Sequence, residues 1–246
     1  MSKLYEDLAP VYEAMYQTFI DYREEFDFYS NILKQFKKEN LLEIGSGTGN
    51  LAKYFHENGF EYIGLDFSKA MIALAKKRIH DGEFIYGDMR NFKLEQPVES
   101  IISTGRTISH LIQNKDVNAA FVSFYDNLSN GGIVCFDFID ANIFIPAIAK
   151  GKEITHQAVY NNTTYIRKST WNLNLQYGMD FEWDSIFYKE EGKKLINIGE
   201  DKTIARTFTV NEIEIFLSIN GFKVLERIER ASYAFPTYVI VAKKIN

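Results

Sequence analysis

The sequence predicts an α/β fold: a mostly parallel sheet flanked by helices, ending in an antiparallel strand and interrupted by an inserted antiparallel β-meander. Three observations carry this prediction. Short apolar runs alternate with amphipathic helical patterns from residue 39 to residue 142, which is the rhythm of βαβ units with right-handed crossovers. Between residues 143 and 207 that rhythm gives way to polar and aromatic alternation punctuated by NNT, QYG and EEGK, a pattern of strands joined by turns. It then returns, and the chain closes with two apolar runs, 222–228 and 238–243, joined by a short loop containing Pro236. With no helix between them they must pair as a hairpin, which turns the last strand against the others.

Residues 1–38 read as helical and broken at Pro10, with Tyr22, Phe26, Tyr29, Leu33 and Phe36 forming one apolar stripe. Tyr5, Tyr12 and Tyr16 recur before it at helix-like intervals, either as packing or as a lid whose phenols reach a ligand.

The α/β region opens with residues 41–50, LLEIGSGTGN. An apolar run ends in Glu43, and Gly45, Gly47 and Gly49 follow before a helical pattern from Leu51 that Gly59 ends. Glycines so placed let a ligand approach the main chain at a strand-to-helix crevice. The sixth position of the dinucleotide motif G-x-G-x-x-G is Asn50 rather than glycine. An acid at Glu43 suits a ligand that carries an ammonium group.

The next run, 62–66 (YIGLD), ends in Asp66, 17 residues beyond Gly49. That is close to the spacing at which an acid ending the second strand accepts from ribose hydroxyls. Ser68 caps a helix with Met71, Ile72, Ala75 and Ile79 on one face. A third run, 84–88 (FIYGD), ends in Asp88. Three successive acid-tipped strands mark one edge of the sheet as a site.

The fourth strand, 100–104, delivers Arg106, Thr107, Ser109 and His110 to the same edge. An amphipathic helix, 116–128, is closed by Gly131 and Gly132. The near-continuous apolar run 133–138 reads as a strand buried on both faces, with Asp137 toward its tip.

Four meander strands are expected over 152–160, 163–175, 177–188 and 194–207. Tyr160, Arg167, Trp171 and Trp183 are the candidate acceptor contacts among them, with Phe181 as hydrophobic cover or a further contact. Beyond the meander, Thr209 and Glu212 form a capping box for the helix that Gly221 stops.

Composition narrows the function. Hydrophobic residues make up 46% and charged residues 25%, as in a globular chain. A net charge of −5 and a pI near 5.5 provide no basic field for nucleic acid. Cys135, the only cysteine, excludes an intramolecular disulfide and a thiolate metal site. The N-terminus lacks a signal-peptide core and no apolar run spans a membrane. The expectation is a cytoplasmic monomer or homodimer without nucleic-acid, membrane or metal partners.

Taken together, E-I-G-S-G-T-G, G-L-D, G-D-M, the strand ending at Thr104, N-G-G-I-V-C-F-D and the terminal hairpin resemble the class I S-adenosylmethionine-dependent methyltransferases. The tyrosine-rich N-terminus and the inserted sheet resemble the small-molecule branch, including amino-sugar N,N-dimethyltransferases and glycine N-methyltransferase. The resemblance implies a Rossmann-like seven-stranded sheet in a single methyltransferase domain, 1–246, with a lid (1–38), a cofactor core (39–142 and 208–246) and an insert (143–207).

It also implies S-adenosyl-L-methionine as cofactor. Glu43, Gly45, Ser46 and Gly47 would hold its methionine end, Asp66 the ribose, Phe67 and Met71 the adenine face. Asp88 and Met89 would meet the adenine edge, Thr104 and Gly105 would line the methionine end, and Tyr12, Tyr16 or Tyr22 would close the site. His110 is the candidate base and Arg106 a candidate catalytic or acid-binding cation, with His156 a weaker base. Arg106 departs from the resemblance, in which a small residue is commoner. The expected reaction is methyl transfer to nitrogen on a small molecule. The alternatives are transfer to oxygen, a cofactor-binding protein without turnover, and nicotinamide-dependent oxidoreduction, which Asn50 and the terminal hairpin oppose.

Overall fold

The computed structural model describes residues 5–149, 153–174, 179–231 and 236–245. Two helices come first, α1 (Ala9–Tyr16) and α2 (Tyr22–Gln35). Pro10 does not break a helix. It sits in the first turn of α1, where its missing N–H has no partner to lose. The break falls at residues 17–21, where the Asp21 side chain accepts from the N–H groups of Arg23 and Glu24 and starts α2.

The core then runs β1 (Asn40–Ile44), α3 (Asn50–Glu57), β2 (Glu61–Asp66), α4 (Lys69–Arg78), β3 (Glu83–Tyr86), β4 (Val98–Ser103), α5 (Asn114–Asn127) and β5 (Leu128–Asp137). Helix α6 (Ala141–Ile148) leads into β6 (Ile154–Tyr160), β7 (Thr163–Asn174), β8 (Asp180–Glu191) and β9 (Lys194–Arg206). Helix α7 (Val210–Ile219), β10 (Phe222–Arg230) and β11 (Thr237–Lys244) complete it. Among the described residues no helix is long and apolar enough to cross a membrane.

Seven strands form one sheet in the order β10-β11-β5-β4-β1-β2-β3, and the other four form a separate antiparallel sheet, β6-β7-β8-β9. Strands β1 to β5 pair in parallel, while β11 is antiparallel to both β5 and β10. The expected hairpin and reversed strand are therefore present.

Period-two alternation sorts the core. Leu42, Ile44, Val134, Phe136 and Ile240 face the α5 and α7 side, whereas Leu41, Ile133, Cys135, Val239 and Val241 face the α2, α3 and α4 side.

Three local expectations fail for identifiable reasons. The helix-after-every-strand rhythm skips the β3–β4 connection. That segment is instead laid along α5, where the buried Asn127 side chain accepts from Leu94 N–H at 2.7 Å and donates to the Phe92 carbonyl at 3.1 Å. Gly131 and Gly132 do not close α5: Leu128 is already extended, and β5 starts there with a register irregularity opposite Val98 and Ser100. Helix α6 is absent from the sequence reading because Pro146 lies inside it. Its start is set by Asp140, whose side chain accepts from Asn142 N–H at 3.0 Å.

The inserted sheet leaves and rejoins the core at one point. Phe208 N–H donates to the Ile139 carbonyl and Ala141 N–H to the Phe208 carbonyl, both at 2.9 Å. The insert is thus anchored beside the tip of β5, above the strand ends where the acids lie. Helix α1 packs on it through Val11 and Met15 against Ala158.

Candidate functional site

A cavity of about 940 Å³ lies between the C-terminal edge of the large sheet, the inserted sheet and the N-terminal helices. Its floor is the glycine loop. Gly45 has φ +76°, and a Cβ there would lie 2.7 Å from the Thr107 side chain, so both the backbone conformation and the close approach require glycine. The N–H groups of Gly45 and Ser46 donate to the Leu65 carbonyl, and Gly47 N–H donates to Asp66 Oδ2 at 2.8 Å. These bonds tie the loop after β1 to the tip of β2. Asp66 also accepts from Ser68 N–H at 2.8 Å. Burial pushes its pKa up while these backbone donors pull it down.

Glu43 is buried beside the loop and accepts from the Tyr62 phenol and from Thr104 Oγ1. Burial raises its pKa to about 7; Tyr62 offsets part of that rise, and among the described residues the groups acting on it, Tyr62, Asp66 and Thr104, include no cation. A buried carboxyl so placed is poised to ionise when a cation arrives.

Farther along the edge, Phe67 is half exposed and stacks on Tyr86 with centroids 6.2 Å apart, while Met71 is buried beneath. Asp88 and Met89 line the same end. The Asp88 carboxylate is gripped by Arg90, whose Nε lies 2.9 and 3.0 Å from its two oxygens, and this pairing lowers its pKa. Most of its accepting capacity is therefore already used.

Beyond β4, Gly105 and Arg106 both take positive φ, turning the chain into a single 3₁₀ turn, Thr107–His110. The Arg106 N–H donates to Asp137 Oδ1 at 2.7 Å. Burial pushes Asp137 up to about 6, and the Arg106 charge opposes the shift. Arg106 thus compensates a buried acid as well as lining the cavity.

His110 is open to the cavity space but ringed by protein. Desolvation by the surrounding protein lowers its pKa. Its ring meets Tyr5 edge-on at 6.1 Å.

The lid closes over this floor. Tyr12 and Tyr16 stack with centroids 3.9 Å apart, and both line the cavity with Tyr22. Arg78 of α4 joins the Glu13 carboxylate of α1 to the Thr48 carbonyl of the glycine loop. Gln17 Nε2 donates to Asn50 Oδ1 at 3.1 Å. The lid is therefore latched to the loop it covers.

The opposite wall belongs to the insert, where Arg167, Trp171 and Trp183 all line the cavity. Tyr160 does not: it packs with Val11, Met15 and Tyr165 under α1, because β6 turns that face toward the lid. Every other candidate site residue from the sequence faces the one cavity.

Sequence reasoning missed Tyr62, a tyrosine in an apolar strand that looks like packing, and Phe144, hidden in the unrecognised α6. Tyr5, read with Tyr12 and Tyr16 as part of the lid but not among the cofactor contacts, also lines the cavity, and its carbonyl accepts from Ser68 Oγ.

Comparison with known proteins agrees with this geometry. Residues 41–132 match the family model described as "Methyltransferase domain". An uncharacterized methyltransferase of Oceanobacillus iheyensis is 33% identical over 138 residues, 54% of this chain and 64% of that one. The dTDP-3-amino-3,4,6-trideoxy-alpha-D-glucopyranose N,N-dimethyltransferase of Streptomyces venezuelae is 30% identical over 135 residues, 53% of this chain and 57% of that one. The match thus spans about three-fifths of the length of these curated relatives.

The fold extends the likeness beyond the matched residues. A S-adenosylmethionine-dependent methyltransferase from Clostridium acetobutylicum superposes with a TM-score of 0.78 at 14% identity, covering 98% of each chain. An S-adenosylmethionine-bound amino pentose methyltransferase from Micromonospora echinaspora gives 0.77 at 20% identity, covering 95% of this chain and 96% of that one. The chain, insert included, shares the Rossmann-like fold of these structures.

Proposed function

We propose that this chain transfers a methyl group from S-adenosyl-L-methionine to a nitrogen atom of a small-molecule acceptor. One juxtaposition carries the reading: the glycine cradle with Glu43 and Asp66 opens into the same enclosed space as His110 and the insert's aromatic wall.

The residues fit the cofactor on structural grounds. Among the described residues no cation acts on the buried Glu43 carboxyl, and the methionine ammonium supplies one. Asp66 stands at the tip of β2, where ribose hydroxyls can donate to it. Phe67 and Met71 offer apolar surface for the adenine, with Asp88 and Met89 at its edge. Thr104 and Gly105 border the methionine end.

The bound cofactor supplies a methyl group on a cationic sulfur, which leaves without being protonated. The protein's part is alignment and exclusion of water, for which the latched tyrosine lid and the insert wall are suited. An amine must present a free lone pair. His110, whose pKa desolvation lowers, lines the same cavity and would accept the proton that the nitrogen sheds. Nitrogen is further supported by the likeness to the N,N-dimethyltransferase of Streptomyces venezuelae.

The test is calorimetry with S-adenosylmethionine, followed by S-adenosylhomocysteine release across a panel of amines, phenols, thiols and acids. Cofactor binding with turnover of amines is expected. Turnover confined to phenols would move the reading to oxygen, binding without turnover would leave a cofactor-binding protein, and no binding would end it.

A further inference from the structure

Arg167 on β7 is only 1% exposed, yet its charge lacks an acidic partner. Nη2 lies 3.1 Å from His156 Nδ1. Nε and Nη1 have no hydrogen-bond partner, and no carboxylate pairs with the side chain among the described residues. The guanidinium carbon sits 5.6 Å from the Tyr16 ring centroid and 5.4 Å from that of Trp183.

Aromatic faces attract a cation through their quadrupoles, but they make no use of N–H groups in the guanidinium plane. A buried guanidinium with open N–H edges is an incomplete arrangement, and an oxyanion completes it. Trp183 adds a second donor, since its indole Nε1 is buried without a partner. His156 supplies no negative charge: as acceptor from Arg167 it is neutral, and burial together with the Arg167 charge lowers its pKa to about 4.

The cavity lining carries charge at both ends. Glu43 and Asp66 lie at the sheet end with Arg90 and Arg106, while Arg167 and Lys202 line the insert side, Lys202 facing Asp184 at 3.8 Å. A cofactor with a cationic ammonium and sulfonium matches the two carboxyls, and an anion matches Arg167.

Resting on the methyl-transfer reading above, we infer that the acceptor carries an oxyanion, a carboxylate or a phosphate, which docks on Arg167 and the Trp183 indole N–H while its amine faces the cofactor. The acceptor is thus held at two points, with the anion on the insert and the nucleophile near His110.

The test uses the full-length protein saturated with S-adenosylhomocysteine and titrated with acetate and with inorganic phosphate. In parallel, turnover is measured for ω-amino acids of increasing length, ω-aminoalkyl phosphates and the matching uncharged amides. Saturable binding of one anion is expected, together with a preference of about 100-fold in kcat/KM for the corresponding charged amines over the amides. The length optimum reads the span from the methyl group to Arg167, and the better series separates carboxylate from phosphate.

Arg167→Gln is expected to abolish anion binding and bring charged and amide acceptors within about threefold, mainly through KM, while S-adenosylmethionine affinity stays within about twofold. Arg167→Lys should keep part of the preference, because it keeps the charge and loses the planar donor set. Should the glutamine variant fail to fold, Trp183→Phe removes one donor and is expected to raise KM for the charged acceptor about fivefold. Equal turnover of charged and amide acceptors, or anion binding unaltered by Arg167→Gln, overturns the inference. A fall in S-adenosylmethionine affinity of the same size as the loss of anion binding overturns it too, by assigning Arg167 to the cofactor's own carboxylate. Absence of turnover alone breaks only the methyl-transfer reading, since the anion titration still reports on Arg167.

Discussion

At the sheet end of the cavity, the lining is the glycine-loop backbone and the carboxyls of Glu43 and Asp66 near the tips of β1 and β2. At the insert end it is side chains, chiefly a guanidinium between two rings, on an antiparallel sheet that meets the core at the Asp140–Phe208 bridge and through Arg206. The sheet end is set by main-chain geometry that few sequences can replace. The insert end is set by which side chains a β-meander happens to turn inward. One end is therefore suited to a fixed ligand, and the other can change its ligand without disturbing the fold.

The largest test of this contrast is Asp66→Ala. It removes the proposed ribose acceptor and also leaves the Gly47 and Ser68 N–H groups without their partner. Calorimetry should show cofactor affinity falling about 100-fold or more, from roughly 3 kcal/mol of lost charge-assisted bonds. Acetate or phosphate binding at Arg167 should survive. Unchanged cofactor affinity would remove the sheet end from the cofactor site, and loss at both ends would show that they are not independent.

Glu43→Gln has a smaller effect that depends on pH. Burial raises the Glu43 pKa to about 7, above the unfolded value of about 4.3. The proton it holds therefore favours the folded apoprotein. That stabilisation is fully present below the unfolded pKa and is lost as pH rises through about 7. Above pH 7 the apo variant should be more stable than the wild type, by on the order of 2 kcal/mol, in urea titrations.

Binding responds in the opposite sense, because an ammonium favours the ionised carboxylate. Wild-type cofactor affinity should fall about tenfold per pH unit below about 7. The variant should bind about 30-fold more weakly at pH 7.5 and lose that low-pH limb. A variant that destabilises the apoprotein above pH 7 would show that Glu43 is structural.

The same contrast explains what could be read from residues alone. Strands β1 to β5 and the terminal hairpin were legible because a doubly wound sheet repeats one pattern, and Glu43 and Asp66 because strand tips follow from it. Arg167 was legible as a candidate contact, but not as a buried cation lacking an acidic partner. On β7 the adjacent Ile166 and Arg167 are both buried, so period-two alternation does not say which residue faces the cavity. Tyr160 lies outside the cavity lining because its surroundings depend on α1 packing against the meander. Helix α6 was hidden by Pro146, and the irregular β3–β4 connection by a side chain, Asn127, that stands in for the missing helix.

The lid belongs to both ends, and it carries the smallest expected effect. Glu13 on α1 meets Arg78 across the glycine loop, and both side chains are about one-fifth exposed. Tyr16 on the same helix covers Arg167. Glu13→Ala therefore loosens one element that touches both walls. Because solvent screens part of the ion pair, cofactor affinity should fall only about threefold. Hydrogen exchange should quicken across α1, while α2 stays protected, since Glu25 remains bound to Arg230 at 2.8 Å in both hydrogen bonds. If the variant weakens cofactor and anion binding together, the lid couples the two ends. A loss confined to the cofactor would make the latch part of the sheet end alone and leave the Tyr16–Arg167 contact independent of it.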